Sequence, residues 1–188
     1  MRLVAYREEL AEALQLIRVG QLAEARSTLE SALALESEGT SVMDSLKYVR
    51  FWEERLARVE GAERGFAYGE HLLEQWLQFR TFVSRVGLED EQVIDAFRSR
   101  VFGMAYEGYR EAATSEGMTV AVCLGLARCL KAQGRFDQAG DAIRSGMKQA
   151  PRDAQLLSEL ADVSALVNDS RAARALFREA FFVDTEAI

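Results

Sequence analysis

The chain is short of several residues that carry chemistry. It has one proline, one histidine, two cysteines and three lysines among its 188 residues. A single proline, Pro151, leaves almost nothing to interrupt helices and excludes Pro-rich linkers. A single histidine, His71, excludes a metal centre built on several imidazoles, since a catalytic zinc needs three protein ligands. His71 lies between Glu70 and Glu74, with no second histidine and no nucleophile arranged around it. It is read as a surface or partly packed side chain.

Cys123 and Cys129 stand six residues apart in what reads as one helix. That spacing sets their Cα atoms roughly 9 Å apart and about 240° around the axis, too far for a disulfide. They are expected to be small buried apolar residues. No stretch approaches the ~18–20 apolar residues of a membrane span, and residues 1–5 lack the apolar run of about 7–15 residues of a secretory leader. A cytoplasmic location without membrane insertion is the expectation. Basic residues are outnumbered, 23 to 30, for a net charge of −7. Phosphate must be met by a basic face, so nucleic acid is not an expected partner, and an anionic membrane surface is disfavoured too. There is no glycine-rich phosphate loop. Carboxylate pairs such as Glu8-Glu9 and Glu53-Glu54 point about 100° apart along a helix and do not converge on one site. No catalytic, metal or cofactor site is expected.

What is present is helical periodicity with an internal repeat. From Val120 to Asp153, Cys123, Leu126, Ala127 and Leu130 form one apolar stripe. Gly134 stops that helix, Phe136 and Ala139 open a second, Ile143, Gly146 and Met147 continue it, and Pro151 ends it. Residues 154–187 repeat this grammar with Leu157, Leu160, Ala161 and Leu166, then Asn168 at the turn, then Ala173, Phe177, Ala180 and Phe181. The period is 34 residues.

On these residues the chain resembles the tetratricopeptide repeat (TPR) proteins, above all over Cys123 to Ala139 and at Pro151. Leu126-Ala127, Leu130, Gly134, Phe136 and Ala139 occupy the places of the family pattern. The resemblance implies an all-α, right-handed superhelical array of about five antiparallel helix pairs, an α-solenoid. In register, the units are residues 6–39, 50–83, 86–119, 120–153 and 154–187, with an insert at 40–49. In the third unit Arg100 stands where the turn glycine belongs. Ser41 and Asp44 read as an N-terminal capping signal after Gly39 and Thr40 close the preceding helix. The insert is therefore expected to lengthen the first helix of the second unit. Gly87 and the acids Glu89, Asp90 and Glu91 are expected to open the next helix.

The resemblance further implies a non-catalytic protein-interaction adaptor or scaffold whose first helices line a concave groove. By phase, the groove takes Phe51, Glu54, Arg55 and Arg58, then Leu124, Arg128 and Lys131, then Gln155, Ser158, Glu159 and Asp162. Members that hold the acidic tails of chaperones use a Lys/Asn clamp. Here Leu10, Leu14, Glu54, Arg55, Arg58, Leu124, Gly125 and Arg128 occupy those places, and the clamp is absent. A strip of Arg55, Arg58 and Arg128 is the candidate for an acidic segment. Twelve of the 17 aromatics lie between Tyr48 and Tyr109, as fillers of wide inter-helix gaps or as groove anchors.

Family members normally cover the last pair with an extra helix, whereas this sequence stops at Ile188. Leu176, Phe181 and Phe182 are accordingly expected to meet a protein partner or a second copy of the chain. The expected partner-binding residues are Phe51, Arg55, Arg58, Leu124, Arg128, Lys131, Leu176, Phe181 and Phe182. The alternative to an adaptor is an architectural subunit built permanently into a larger assembly or homo-oligomer.

Overall fold

A computed structural model describes residues 2–35, 40–86 and 90–184. Among them there are nine helices and no strand: α1 (Arg2–Val19), α2 (Leu22–Leu35), α3 (Thr40–Val59), α4 (Phe66–Val86), α5 (Glu91–Ser115), α6 (Val120–Ala132), α7 (Phe136–Met147), α8 (Ala154–Leu166) and α9 (Ser170–Val183). The fold is all-α, of the solenoid kind. The chain divides into two compact units, one of residues 1–62 and 72–101, the other of residues 63–71 and 102–188.

The 34-residue period recurs in the structure. α6 and α8 start 34 residues apart, as do α7 and α9. Their N-caps repeat too: Thr119 Oγ1 accepts from the Val122 N–H at 3.3 Å, and Asp153 Oδ1 from the Leu156 N–H at 2.9 Å. The turn inside each pair is the same device three times. Gly20, Gly134 and Asn168 have φ of +87°, +72° and +63°. Beyond them the N–H groups of Gln21, Arg135 and Asp169 donate back to the carbonyls of Leu16, Leu130 and Ser164 at 2.9, 2.9 and 2.8 Å. This bond closes a helix C-terminus only when one residue takes the left-handed conformation, which glycine and asparagine tolerate best.

Small residues recur where the paired helices cross. Ala13, Ala127 and Ala161 are buried in α1, α6 and α8, and Ala25, Ala139 and Ala173 in α2, α7 and α9. Ala32, Gly146 and Ala180 form a third buried set. Gly146 shows why size matters: a Cβ there would lie 3.0 Å from Leu156 and 3.1 Å from Cys123.

The pair expected over 86–119 is a correction. In its place α5 runs unbroken from Glu91 to Ser115. Arg100 has no steric licence for a left-handed turn, so the helix continues through it. Its guanidinium lies over the turn at Gly20, where an added Cβ would stand 2.6–2.7 Å away. The insert does lengthen a helix, since residues 40–49 form the first half of α3. The capping signal is not used as expected. Ser41 Oγ donates instead to Asp90 Oδ2 at 2.6 Å, and Asp44 accepts from Lys47 at 2.7 Å. Asp90 caps α5, its Oδ1 accepting from the N–H groups of Gln92 and Val93. Gly39, Gly87, Glu89 and Ile188 lie outside the described residues.

In the first unit the core between α3, α4 and α5 is aromatic. Trp52 stacks near Trp76 and Phe97, with centroids 6.3 and 6.0 Å away, and Phe79 contacts Tyr48, Trp52, Trp76 and Phe97. Tyr48, Trp52, Phe79 and Phe97 are all fully buried. Aromatic pairs at these distances add to the burial of large apolar areas.

In the second unit the ring of Tyr109 is the central filler. It is fully buried, and it lies against two glycines, Gly69 of α4 and Gly125 of α6. A Cβ on Gly69 would come within 2.7–2.9 Å of ring carbons. One on Gly125 would come within 2.6 Å of Cδ1 and of Cζ. Tyr109 Oη donates to a carboxylate oxygen of Glu70. Burial, then this bond to a carboxylate, pushes the phenol pKa far above its ordinary value.

Candidate protein-interaction site

The expected groove residues fall in both units. Phe51, Arg55 and Arg58 belong to the first, Leu124, Arg128 and Lys131 to the second. Phe51 is only half-exposed: it stacks on Phe82 at 5.1 Å, and the Arg55 guanidinium sits 3.5 Å from its centroid. Arg55 also donates to Gln75 Oε1 at 2.9 Å and to the Phe51 carbonyl at 3.2 Å. Burial and then the nearby Arg58 charge pull the Arg55 pKa down. Arg58 is exposed. The first-unit group is thus a self-satisfied cation–π contact with one outward arginine beside it.

In the second unit the basic side chains already have acidic partners. Arg128 donates to Glu159 Oε1 at 2.9 Å, and Lys131 donates to Glu159 Oε2 at 2.6 Å and to Asp162 Oδ2 at 2.9 Å. These bridges join α6 to α8. Burial tends to raise the Glu159 pKa, but hydrogen bonds from Arg128 and Lys131 outweigh it and hold the carboxyl below its ordinary value. Lys131 is held above its own by the same bonds, against burial. Two cations facing two anions leave no net positive charge for an acidic ligand. Leu124 is 5% exposed and presents almost nothing to a partner.

The residues expected on α9 are different. Phe181 is 51%, Phe182 80% and Val183 45% exposed. Leu176 and Phe177 are half-exposed, although their counterparts 34 residues earlier, Ala142 and Ile143 of α7, are buried. The two phenyl rings meet edge to face, with centroids 6.0 Å apart. At Leu176 and Phe177 this helix therefore exposes large apolar side chains where α7 has a small or covered one, and Phe182 stands where the repeat before has the exposed Lys148.

His71, Glu70 and Glu74 are all exposed. Among the described residues no group of three or more His, Cys, Asp or Glu side chains is placed to hold a metal ion. Cys123 and Cys129 are free and buried. Among the described residues no helix is long and apolar enough to cross a membrane.

No protein-family model and no curated protein matches the chain. Among solved structures it is similar to YrrB, described as a TPR protein with an unusual peptide-binding site, at 16% identity and a TM-score of 0.43, over 95% of this chain and 86% of that one. It is also similar to MamA of MSR-1, at 17% identity and a TM-score of 0.45, over 98% of each chain. MamA of AMB-1 matches at 15% identity and a TM-score of 0.43, over 98% of this chain and 94% of that one. Likenesses this distant carry no argument about a partner. By its own 34-residue spacing, repeated left-handed turn and recurring small crossing residues, the chain is TPR-like.

Proposed function

We propose that the chain is a non-catalytic protein-interaction adaptor that holds a protein partner through its repeats, with the exposed face of α9 as the main contact. The observation that carries this reading is the exposure of Phe181 and Phe182, two adjacent phenyl rings on α9 where the repeat counterparts are the half-exposed Met147 and the exposed Lys148. Aromatic side chains in such positions dominate binding energy at protein interfaces. The groove contributes less, because Arg128 and Lys131 are neutralised by Glu159 and Asp162 and Phe51 is stacked by Phe82 and Arg55. The same exposed face favours a second reading, an architectural subunit locked into a larger assembly or into copies of itself.

The test is affinity capture with the wild-type chain and with the double variant Phe181→Ser/Phe182→Ser, its helicity checked by circular dichroism. Loss of the captured proteins from a folded double variant supports α9 as the contact. Retention of all of them puts binding elsewhere on the repeats and removes α9 from the reading. Sedimentation of the purified chain separates the two roles: an adaptor sediments as a monomer, a locked subunit as an assembly.

A further inference from the structure

The exposed side of α9 has a sign of its own. At 100° per residue, Arg171, Arg174, Arg178, Phe181 and Phe182 fall within an arc of about 100°, turned away from Ala173 and Ala180. All five are exposed, while Ala173 and Ala180 are buried. The three guanidinium groups span roughly 10 Å of helix axis, and the phenyl rings extend the row by about 6 Å. Glu179, the acid of this helix, lies off the arc.

Several arginines on the other helices are matched to acids: Arg26 to Glu53, Arg98 to Asp95, Arg110 to Glu107 and Arg144 to Asp141. Among the described residues Arg171, Arg174 and Arg178 stand in no ion pair, and Arg174 makes only a bond from Nε to the Ser170 carbonyl at 3.1 Å. In a protein of net charge −7, a row of three unpaired cations ending in two exposed rings is a local reversal of the whole molecule's charge. Like charges at i, i+3 and i+7 destabilise the helix that bears them and are relieved by an anion.

We infer that this face takes an acidic amphipathic helix of a protein partner. Carboxylates one helical turn apart meet Arg171, Arg174 and Arg178, and an apolar side chain seats against Phe181 and Phe182. Guanidinium groups pair with carboxylates through two parallel hydrogen bonds, which gives the row geometric as well as electrostatic selectivity. The inference rests on the reading of α9 as a partner-binding face and adds the chemistry of that partner. Nucleic acid fits less well, because three arginines on one helix of an acidic protein give few phosphate contacts.

The probe is a fluorescent helix-forming peptide with Glu and Leu at i, i+4 spacing, read by anisotropy at low and high salt. Its controls are the same peptide with Gln for Glu and with Lys for Glu. The Glu peptide is expected to bind at least about tenfold more tightly than the Gln peptide, and to weaken with salt. Arg174→Glu/Arg178→Glu is expected to reverse the preference towards the Lys peptide. Phe181→Ser/Phe182→Ser is expected to weaken binding of the Glu peptide while leaving its salt dependence. Equal binding of the Glu and Gln peptides, or no binding at about 10⁻⁴ M, the weak end of the affinity scale, overturns the inference. So does capture by phosphatidylserine vesicles without peptide binding, which assigns the face to a membrane. Self-association that the charge reversal abolishes, again without peptide binding, assigns it to a second copy. If α9 is required for partner capture yet ignores the Glu peptide, the interaction face stands and its acidic partner falls.

Discussion

Replacing Gly125 by alanine sets two effects against each other, and the structure decides which wins. On helix propensity alone, the change in the interior of α6 is favourable by about 0.5–1 kcal/mol. Against this stands the ring of Tyr109, within 2.6 Å of the position the new methyl carbon would take. The ring has little room to withdraw, because it is fully buried and also lies against Gly69, 2.7–2.9 Å from where a Cβ would be. Overpacking of this kind costs typically about 1–3 kcal/mol, so a net loss of about 1–2 kcal/mol is expected. In a chain of this length that is a fall in Tm of about 2–8 °C. Thermal unfolding followed by circular dichroism reads it directly. Gly103→Ala is the matched control: it makes the same change inside α5, with no atom within 4 Å of the added carbon. It is expected to raise stability by about 0.5–1 kcal/mol. A Gly125→Ala protein as stable as Gly103→Ala would refute the account of Tyr109 as a ring held between glycines. The double variant Tyr109→Leu/Gly125→Ala is expected to recover part of the Gly125→Ala loss relative to Tyr109→Leu alone.

Burial pushes the Cys129 thiol up to about 12 and raises that of Cys123, so both should resist a thiol reagent in mildly alkaline buffer. Two reactive thiols are expected after denaturation, and labelling of the native protein at the unfolded rate would contradict the burial. Glu159 has a folded pKa below its unfolded one, so its contribution is present above the unfolded value and is lost as pH falls through the folded value. The Tm of Glu159→Gln should thus lie below wild type near neutrality, and the gap should close in acid. A gap that stays constant to about pH 2–3, below the usual carboxylate range, would mean the bridges from Arg128 and Lys131 contribute no stability. Gly134→Ala meets no neighbour within 4 Å but keeps a φ of +72°, so strain alone is expected to cost about 1–2 kcal/mol in chemical denaturation.

The parts of the fold that were legible in the sequence are those set by local stereochemistry. Gly20, Gly134 and Asn168 mark turns because few residues tolerate positive φ, and the small residues Ala139, Ala173 and Ala180 mark crossings where the side chain is buried against a neighbouring helix. Extrapolating the same phase through Arg100 failed, since spacing alone makes no turn without a residue that can adopt one. The ambiguity over the aromatic middle is resolved by packing: Trp52, Phe79 and Phe97 fill space between helices, and only contact distances distinguish that from a binding surface. The candidate site was legible in part. Glu159 and Asp162 share the expected face with Arg128 and Lys131, but their neutralising pairing depends on how far one helix is offset along the next. The arginine row of α9 was masked by the abundance of arginine. It stands out only once exposure and ion pairing along that helix are known together.

The two matching N-caps, Thr119 before α6 and Asp153 before α8, have a consequence for how such a chain changes length. Each begins a 34-residue cassette whose turn, crossing residues and closing bond come from within. Copying residues 120–153 in tandem would duplicate a complete set of these local instructions and place the new junction at a helix cap. Gene duplication between those caps can therefore lengthen the array without inventing a new joint, and deletion of one cassette can shorten it in the same way. The α5 segment offers no such cut point, since any break there falls inside a continuous helix.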